Sequence, residues 1–285
     1  MILKHEIPIL EFDTDIDAVI APTHENLDLL LPKRAVFAFL IDTVEKYAQN
    51  NNAIQVATFE SATKLFPIYV VNYKNEDICL VHAPVGSAPA AQILDWLIGY
   101  GVEKIISIGS CGVLEDMGEN EFILPYKALR DEGTSYHYVA PSRFINLNPV
   151  VVETIEKIFK ENNIKYKKAI TWTTDGFYRE TKEKVLYRKS EGCSVVEMEC
   201  SALAACAQLR GATFGQFLYT ADTLANLEAH DARDWGRDSK EIALKLAFEV
   251  VKNLWSLIHT RQIKEVITTL THYNLLFLFQ IIIHI

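Results

Sequence analysis

The sequence predicts a single three-layer α/β/α domain built on a central mixed, twisted sheet. Two observations carry this expectation. Short apolar runs alternate with amphipathic stretches along the chain, the pattern of strands covered by helices. The 285 residues are 49% hydrophobic, enough for one sizeable core, and no repeat or long Pro/Gly/Ser linker divides them.

Taken in order, Val19-Ile20-Ala21 and Val36–Leu40 read as the first strands. Ile68–Tyr73, Ile78–His82, Lys104–Ile108 and Phe122–Leu124 follow, then Ala169–Trp172, Ser194–Met198 and Thr213–Thr220. A helix is expected from Ser87, as cap, to Gly101, with Pro89 in its first turn and Ile93, Leu94, Leu97 and Ile98 inward. A second runs from Pro149 to about Lys160, and a third from Glu199 to Arg210, ended by Gly211. A fourth is expected from Ser239 to about Ile258. Residues 1–260 form the expected domain, and 261–285 an atypical apolar tail whose last dozen residues are too few to span a bilayer.

Bulk properties exclude several classes. A net charge of -9 without a Lys/Arg-rich run argues against nucleic acid and anionic membrane as partners, though not against a small anion. Cys79, Cys111, Cys193, Cys200 and Cys206 show no C-x-x-C spacing, so no metal site or disulfide framework is expected. The acid-bearing N-terminus does not read as an export signal, and a cytoplasmic location is expected.

Chemistry gathers where the strands end, the usual place for ligands in such sheets. Gly109-Ser110-Cys111-Gly112 follows a strand, where free amides can hold an anion or a sugar oxygen, although most such turns are only turns. Glu197-Met198-Glu199 marks a strand-to-helix junction: a carboxylate accepting from a vicinal diol, or a first-turn acid favoured by the helix dipole. Asp222 ends another strand, as a helix cap or a proton donor. The segments 130–138 (RDEGTSYHY) and 171–181 (TWTTDGFYRET) are dense in aromatics and charge, fit for a heterocyclic base or simply for ordered loops.

In this order, these segments resemble the nucleoside phosphorylase/nucleosidase superfamily over roughly residues 15–255. That family includes purine nucleoside phosphorylase, uridine phosphorylase and methylthioadenosine/S-adenosylhomocysteine nucleosidase. The resemblance implies that Glu199 holds the ribose hydroxyls, with Met198 against the sugar and Glu197 in support. Gly109 and Ser110 belong to the same substrate site, Phe177 and Tyr178 match the base-stacking pair, and Asp222 is the acid that protonates a leaving purine. His5 would reach a neighbour's 5′ position, and Arg233, with Arg237, would gate the catalytic acid or form a surface salt bridge. The partners implied are a small-molecule nucleoside and further copies of the chain, in a dimer or hexamer. No cofactor is implied, with phosphate as co-substrate.

The phosphate half departs from the family. Ser107 stands where phosphorylases carry an arginine, and Ala21–Asn26 replaces an early G-D-P-x-R loop. Lys64 and Arg34 are the remaining phosphate-binding candidates. Glu25, in the early loop, could instead activate water. The expected activity is purine nucleoside phosphorolysis. Hydrolysis, a nucleoside-binding or storage protein on a degenerate site, and a uridine phosphorylase are the alternatives.

Overall fold

A computed structural model describes residues 2–40 and 42–254; the expected tail from 261 lies outside them. The sheet strands are β1 (Arg34–Ala38), β2 (Ile54–Glu60), β3 (Leu65–Tyr73), β4 (Glu76–His82) and β5 (Lys104–Val113). They continue with β6 (Phe122–Asp131), β7 (Phe144–Asn146), β8 (Tyr166–Thr174), β9 (Cys193–Glu197) and β10 (Thr213–Thr223). The helices are α1 (Thr43–Asn50), α2 (Ser87–Gly99), α3 (Pro149–Glu161), α4 (Lys182–Ser190), α5 (Cys200–Leu209) and α6 (240–254).

The sheet is mixed, as expected. β1 lies parallel between β4 and β5, while β3 and β2 extend the β4 edge antiparallel. On the other side β5 pairs with β10, β10 with β6, β6 with β8, β8 with β9, and β9 returns to β5. These five strands therefore close on themselves, a curl that the right-handed twist of strands makes accessible.

The core follows from the apolar runs. Ala35, Val36, Phe37 and Ala38 are all fully buried, although successive side chains point to opposite faces, so both faces of β1 are covered. Gly215 on β10 allows α3 to lie close, since a Cβ there would meet Val151 at 2.2 Å. Asn148 caps α3 by accepting from Val150 N at 2.9 Å, with Pro149 next.

Several expectations are corrected. Val19-Ile20-Ala21 is no strand: Val19 is 106% exposed, and the segment lies outside the sheet. The sheet's first strand is β1. Gly86, not Ser87, stands at the N-cap of α2, because its φ of +104° turns the chain. The helix expected from Ser239 begins at 240 and continues to the last described residue, 254; the rest of its expected span lies beyond.

Candidate functional site

β5 organises the site. Along one edge it pairs with β10 from Lys104 to Val113. Along the other, β1 accompanies it only to Ile108, and β9 joins at Gly112. Between them the backbone of Gly109–Cys111 lacks a strand partner on that edge, and a cavity of about 320 Å³ opens there, beyond the C-terminal end of β1. The glycine segment is thus strand interior and not the loop the sequence suggested. A Cβ at Gly109 would meet Phe39 at 3.2 Å, and one at Gly112 would meet Leu224, Val196 and Asp222 at 3.0–3.2 Å. Ser110 is the one exposed residue of β5 and lines the cavity.

Glu197, Met198 and Glu199 enter from the end of β9. Glu197 is spent on structure: its Oε1 accepts from Thr173 and Thr171 at 2.6 and 3.2 Å, and its Oε2 from the Cys200 and Glu199 amides at 2.6 and 2.8 Å. Burial holds its carboxyl above the usual carboxylate range, against the lowering effect of those hydrogen bonds. Glu199 sits at the N-cap of α5 without capping through its side chain; instead its Oε1 accepts from Gly86 N at 2.5 Å. Ser87 Oγ donates to Met198 O at 2.6 Å, so the start of α2 clamps this junction. Burial, then the Glu197 charge, push the Glu199 carboxyl up to about 8.

Asp222 arrives through a bulge. Thr220 pairs with Cys111 and Thr223 with Val113, so two residues of β10 oppose one of β5. The bulge places Asp222, 6% exposed, in the cavity wall, where His230 Nε2 lies 2.8 Å from its Oδ2. Phe177 and Trp235 add aromatic faces from separate loops. Glu180, one turn beyond Phe177, also lines the cavity; burial and then the Asp222 charge push it up to about 7. Lys240, at the start of α6, is the lining lysine. The cavity thus combines four carboxyl groups, aromatic faces and a lysine, with no group of His, Cys, Asp or Glu fit for a metal among the described residues.

The phosphorylase superfamily model matches residues 33–254. The chain belongs to the phosphorylase superfamily. Family chemistry of this kind calls for no cofactor, with phosphate as co-substrate. Among curated relatives, a DeoD-type purine nucleoside phosphorylase of Mycoplasma genitalium is 26% identical over 195 residues, covering 65% of this chain and 80% of the relative. An uncharacterised protein of Acanthamoeba polyphaga mimivirus is 28% identical over 154 residues, covering 54% of this chain; the chain spans 58% of that relative's length. Among solved structures, purine nucleoside phosphorylase of Toxoplasma gondii superposes with a TM-score of 0.67 at 20% identity, covering 79% of this chain and 92% of that one. AMP nucleosidase of Bacteroides thetaiotaomicron gives 0.65 at 19%, covering 79% and 90%. These superpositions establish the phosphorylase-superfamily fold.

Within that fold, the expected site residues separate. The cavity brings together Gly109, Ser110, Phe177, Glu197, Met198, Glu199 and Asp222. Tyr178 is 93% exposed, packs edge-on against Phe177 and does not line it. Arg34 sits at the opposite end of β1, 3.1 Å from Glu76, because the strand it opens points its other end at the site. Glu25 lines a different cavity, of about 530 Å³, and accepts from Trp96 Nε1 at 2.8 Å. With 19–21 outside the sheet, the loop after the first strand is the one beginning at Phe39, not Glu25's. Lys64, in the turn between β2 and β3, lies over the Phe66 ring, and His5 bonds to Ile7; neither lines this chain's cavity. Arg233 donates to Met117 O at 2.7 Å, and His230, not Arg233 or Arg237, holds Asp222.

The segment 130–138 is a brace. Arg130, 4% exposed, donates to Ser135 Oγ, Ser142 Oγ and Ala140 O, each at 2.8 Å, and its guanidinium lies over Tyr136. Asp175 Oδ2 accepts from Gly133 N, tying this brace to the loop that carries Phe177. Sequence reasoning missed Glu180, Gln216, His230, Trp235 and Lys240. Glu180 directly follows a quoted aromatic pair and was the most readable of them; the others carry no local signal.

Proposed function

We propose that the chain cleaves the N-glycosidic bond of a purine nucleoside by phosphorolysis, releasing free base and sugar-1-phosphate. The observation that carries this reading is the convergence of Glu199, at the start of α5, and Asp222, on β10, on one cavity that Phe177 also lines. Glu199, with Met198 beside it, accepts from the ribose hydroxyls. Phe177 stacks on the base. The Asp222 carboxyl gives its proton to purine N7 as the C1′–N9 electrons move onto the base, and the oxocarbenium-like sugar is captured from the opposite face by a phosphate oxygen. His230 holds Asp222 in position.

Lys240 is the cation in this chain suited to the phosphate. A single ammonium lacks the bidentate grip of guanidinium, so phosphate binding is weak. Lys64 and His5 complete the site only from neighbouring copies, which makes a homo-oligomer, dimer or hexamer, part of this reading; its expected location is the cytoplasm. Among the described residues no helix is long and apolar enough to cross a membrane.

Hydrolysis is the second reading, favoured by Ser107, fully buried with an unpaired Oγ, where an arginine would hold phosphate. Water would then take the phosphate's place and free sugar would be the product. Base release from a nucleoside panel, with and without phosphate, separates the two. Phosphate-dependent release with sugar-1-phosphate is expected; equal release without phosphate would establish hydrolysis, and no release from any purine nucleoside would reject both.

A further inference from the structure

Of the carboxyl groups lining the cavity, Glu180 differs in what it touches. Glu197 accepts four hydrogen bonds, Glu199 accepts from Gly86 N, and Asp222 faces His230. Glu180 is half-buried, yet among the described residues no hydrogen bond or ion pair reaches it. A ligand entering the cavity displaces water from this carboxyl and has to supply a donor in its place. Its position narrows which ligand. Glu180 ends the turn that begins at Phe177, on the aromatic side of the cavity, and it feels the Asp222 charge directly.

On the N7 side a purine presents two adjacent groups. In a 6-aminopurine they are an acceptor, N7, and a donor, the exocyclic amine; in a 6-oxopurine both are acceptors. A carboxylic acid beside a carboxylate presents one donor and one acceptor, which complements only the first pattern.

Resting on the purine-cleaving reading above, we propose that Glu180 and Asp222 together read the base, Asp222 donating to N7 and Glu180 accepting from a 6-amino group, so that the site selects 6-aminopurine nucleosides over 6-oxopurine nucleosides. A 6-oxopurine needs a proton on Glu180 as well. The groups acting on Glu180 are Asp222, which raises it, and Lys184, which lowers it; Glu197, Glu199 and Lys240 line the same cavity, and His230 faces Asp222.

The test is kcat/KM for adenosine and inosine, with the full-length wild type and Glu180→Gln, from mildly acidic to mildly alkaline pH. A glutamine amide can turn either its oxygen or its nitrogen to the base. The wild type should favour adenosine by at least about tenfold at neutral pH, the discrimination expected of one hydrogen bond to a charged group. Glu180→Gln, with wild-type circular dichroism, should bring the ratio to within about threefold. Adenosine and inosine cleaved equally by the wild type, or a preference that Glu180→Gln leaves unmoved, overturns the proposal while leaving nucleoside cleavage standing. Failure to cleave or bind either nucleoside removes the purine-cleaving reading itself, and this proposal with it.

Discussion

Glu197 offers a perturbation whose size follows from the hydrogen bonds around it. It is 6% exposed and accepts from the Glu199 and Cys200 amides and from the Thr171 and Thr173 hydroxyls. Glu197→Ala strands all four donors. The hydroxyls can rotate, but the two amides open α5 and cannot. Each stranded buried donor costs about 1–3 kcal/mol, partly offset because a carboxyl no longer has to be held away from water. The net expectation is a loss of about 3 kcal/mol. Glu197→Gln keeps an oxygen for the two amides and turns its NH₂ to the threonine hydroxyls, which can accept; its cost should stay below about 1 kcal/mol. Urea unfolding of both variants, at unchanged m-value, reads the difference directly. Equal losses in the two variants would refute the view that Glu197 acts by anchoring the start of α5.

Four further outcomes follow. Gly112→Ala places a methyl against Leu224, Val196 and Asp222 and should cost about 1–3 kcal/mol while reducing turnover, since the displaced group includes the carboxyl proposed as the acid; a thermal melt beside an activity assay checks both. Glu199→Ala should weaken ribonucleosides far more than their 2′-deoxy analogues in equilibrium binding; identical losses would remove the diol from Glu199. Lys240→Met should raise the KM for phosphate roughly tenfold with little change in nucleoside affinity, and an unchanged KM would move the anion elsewhere. The fourth concerns pH. Glu180 and Glu199 rise from 4.5 when unfolded to about 7 and about 8 when folded. Their unfolded forms therefore lose protons first, so the stability these groups contribute is present below pH 4.5 and is lost as pH climbs through about 7 and about 8. Denaturant midpoints across that range should fall less in Glu180→Gln than in the wild type; parallel curves would contradict the assignment.

The central strands were legible because burial on both faces leaves continuous apolar runs, as in Val36–Leu40 and Ile78–Val81. The same signal misled at Val19-Ile20-Ala21, where an apolar run stays outside the sheet, since periodicity alone cannot say whether a run finds a partner. β2 was illegible because it is an edge strand with mostly exposed or half-buried residues, and α4 because it buries little beyond Val185 and Arg188. The site was legible where its residues are local, as in Glu197-Met198-Glu199 and Asp222. Distances between strands decided the rest. Arg34 opens β1 and Phe39 directly follows it, yet only the end at Phe39 meets the gap beside Gly109, a fact of topology that residue types do not encode. Trp235 reaches the cavity, and His230 reaches Asp222 in its wall, as the loop after β10 folds back through the Thr223–Asp231 bridge.

The most direct test of the account compares Asp222→Asn with the wild type, measuring release of free purine from a ribonucleoside together with equilibrium binding of the same nucleoside. An asparagine keeps the shape and a contact to His230 but cannot deliver a carboxyl proton. Turnover should fall by roughly 10²-fold or more while the dissociation constant moves less than about threefold. Equal loss of binding and turnover, or undiminished release of the base, would contradict Asp222 as the acid and with it the chemistry assigned to this cavity.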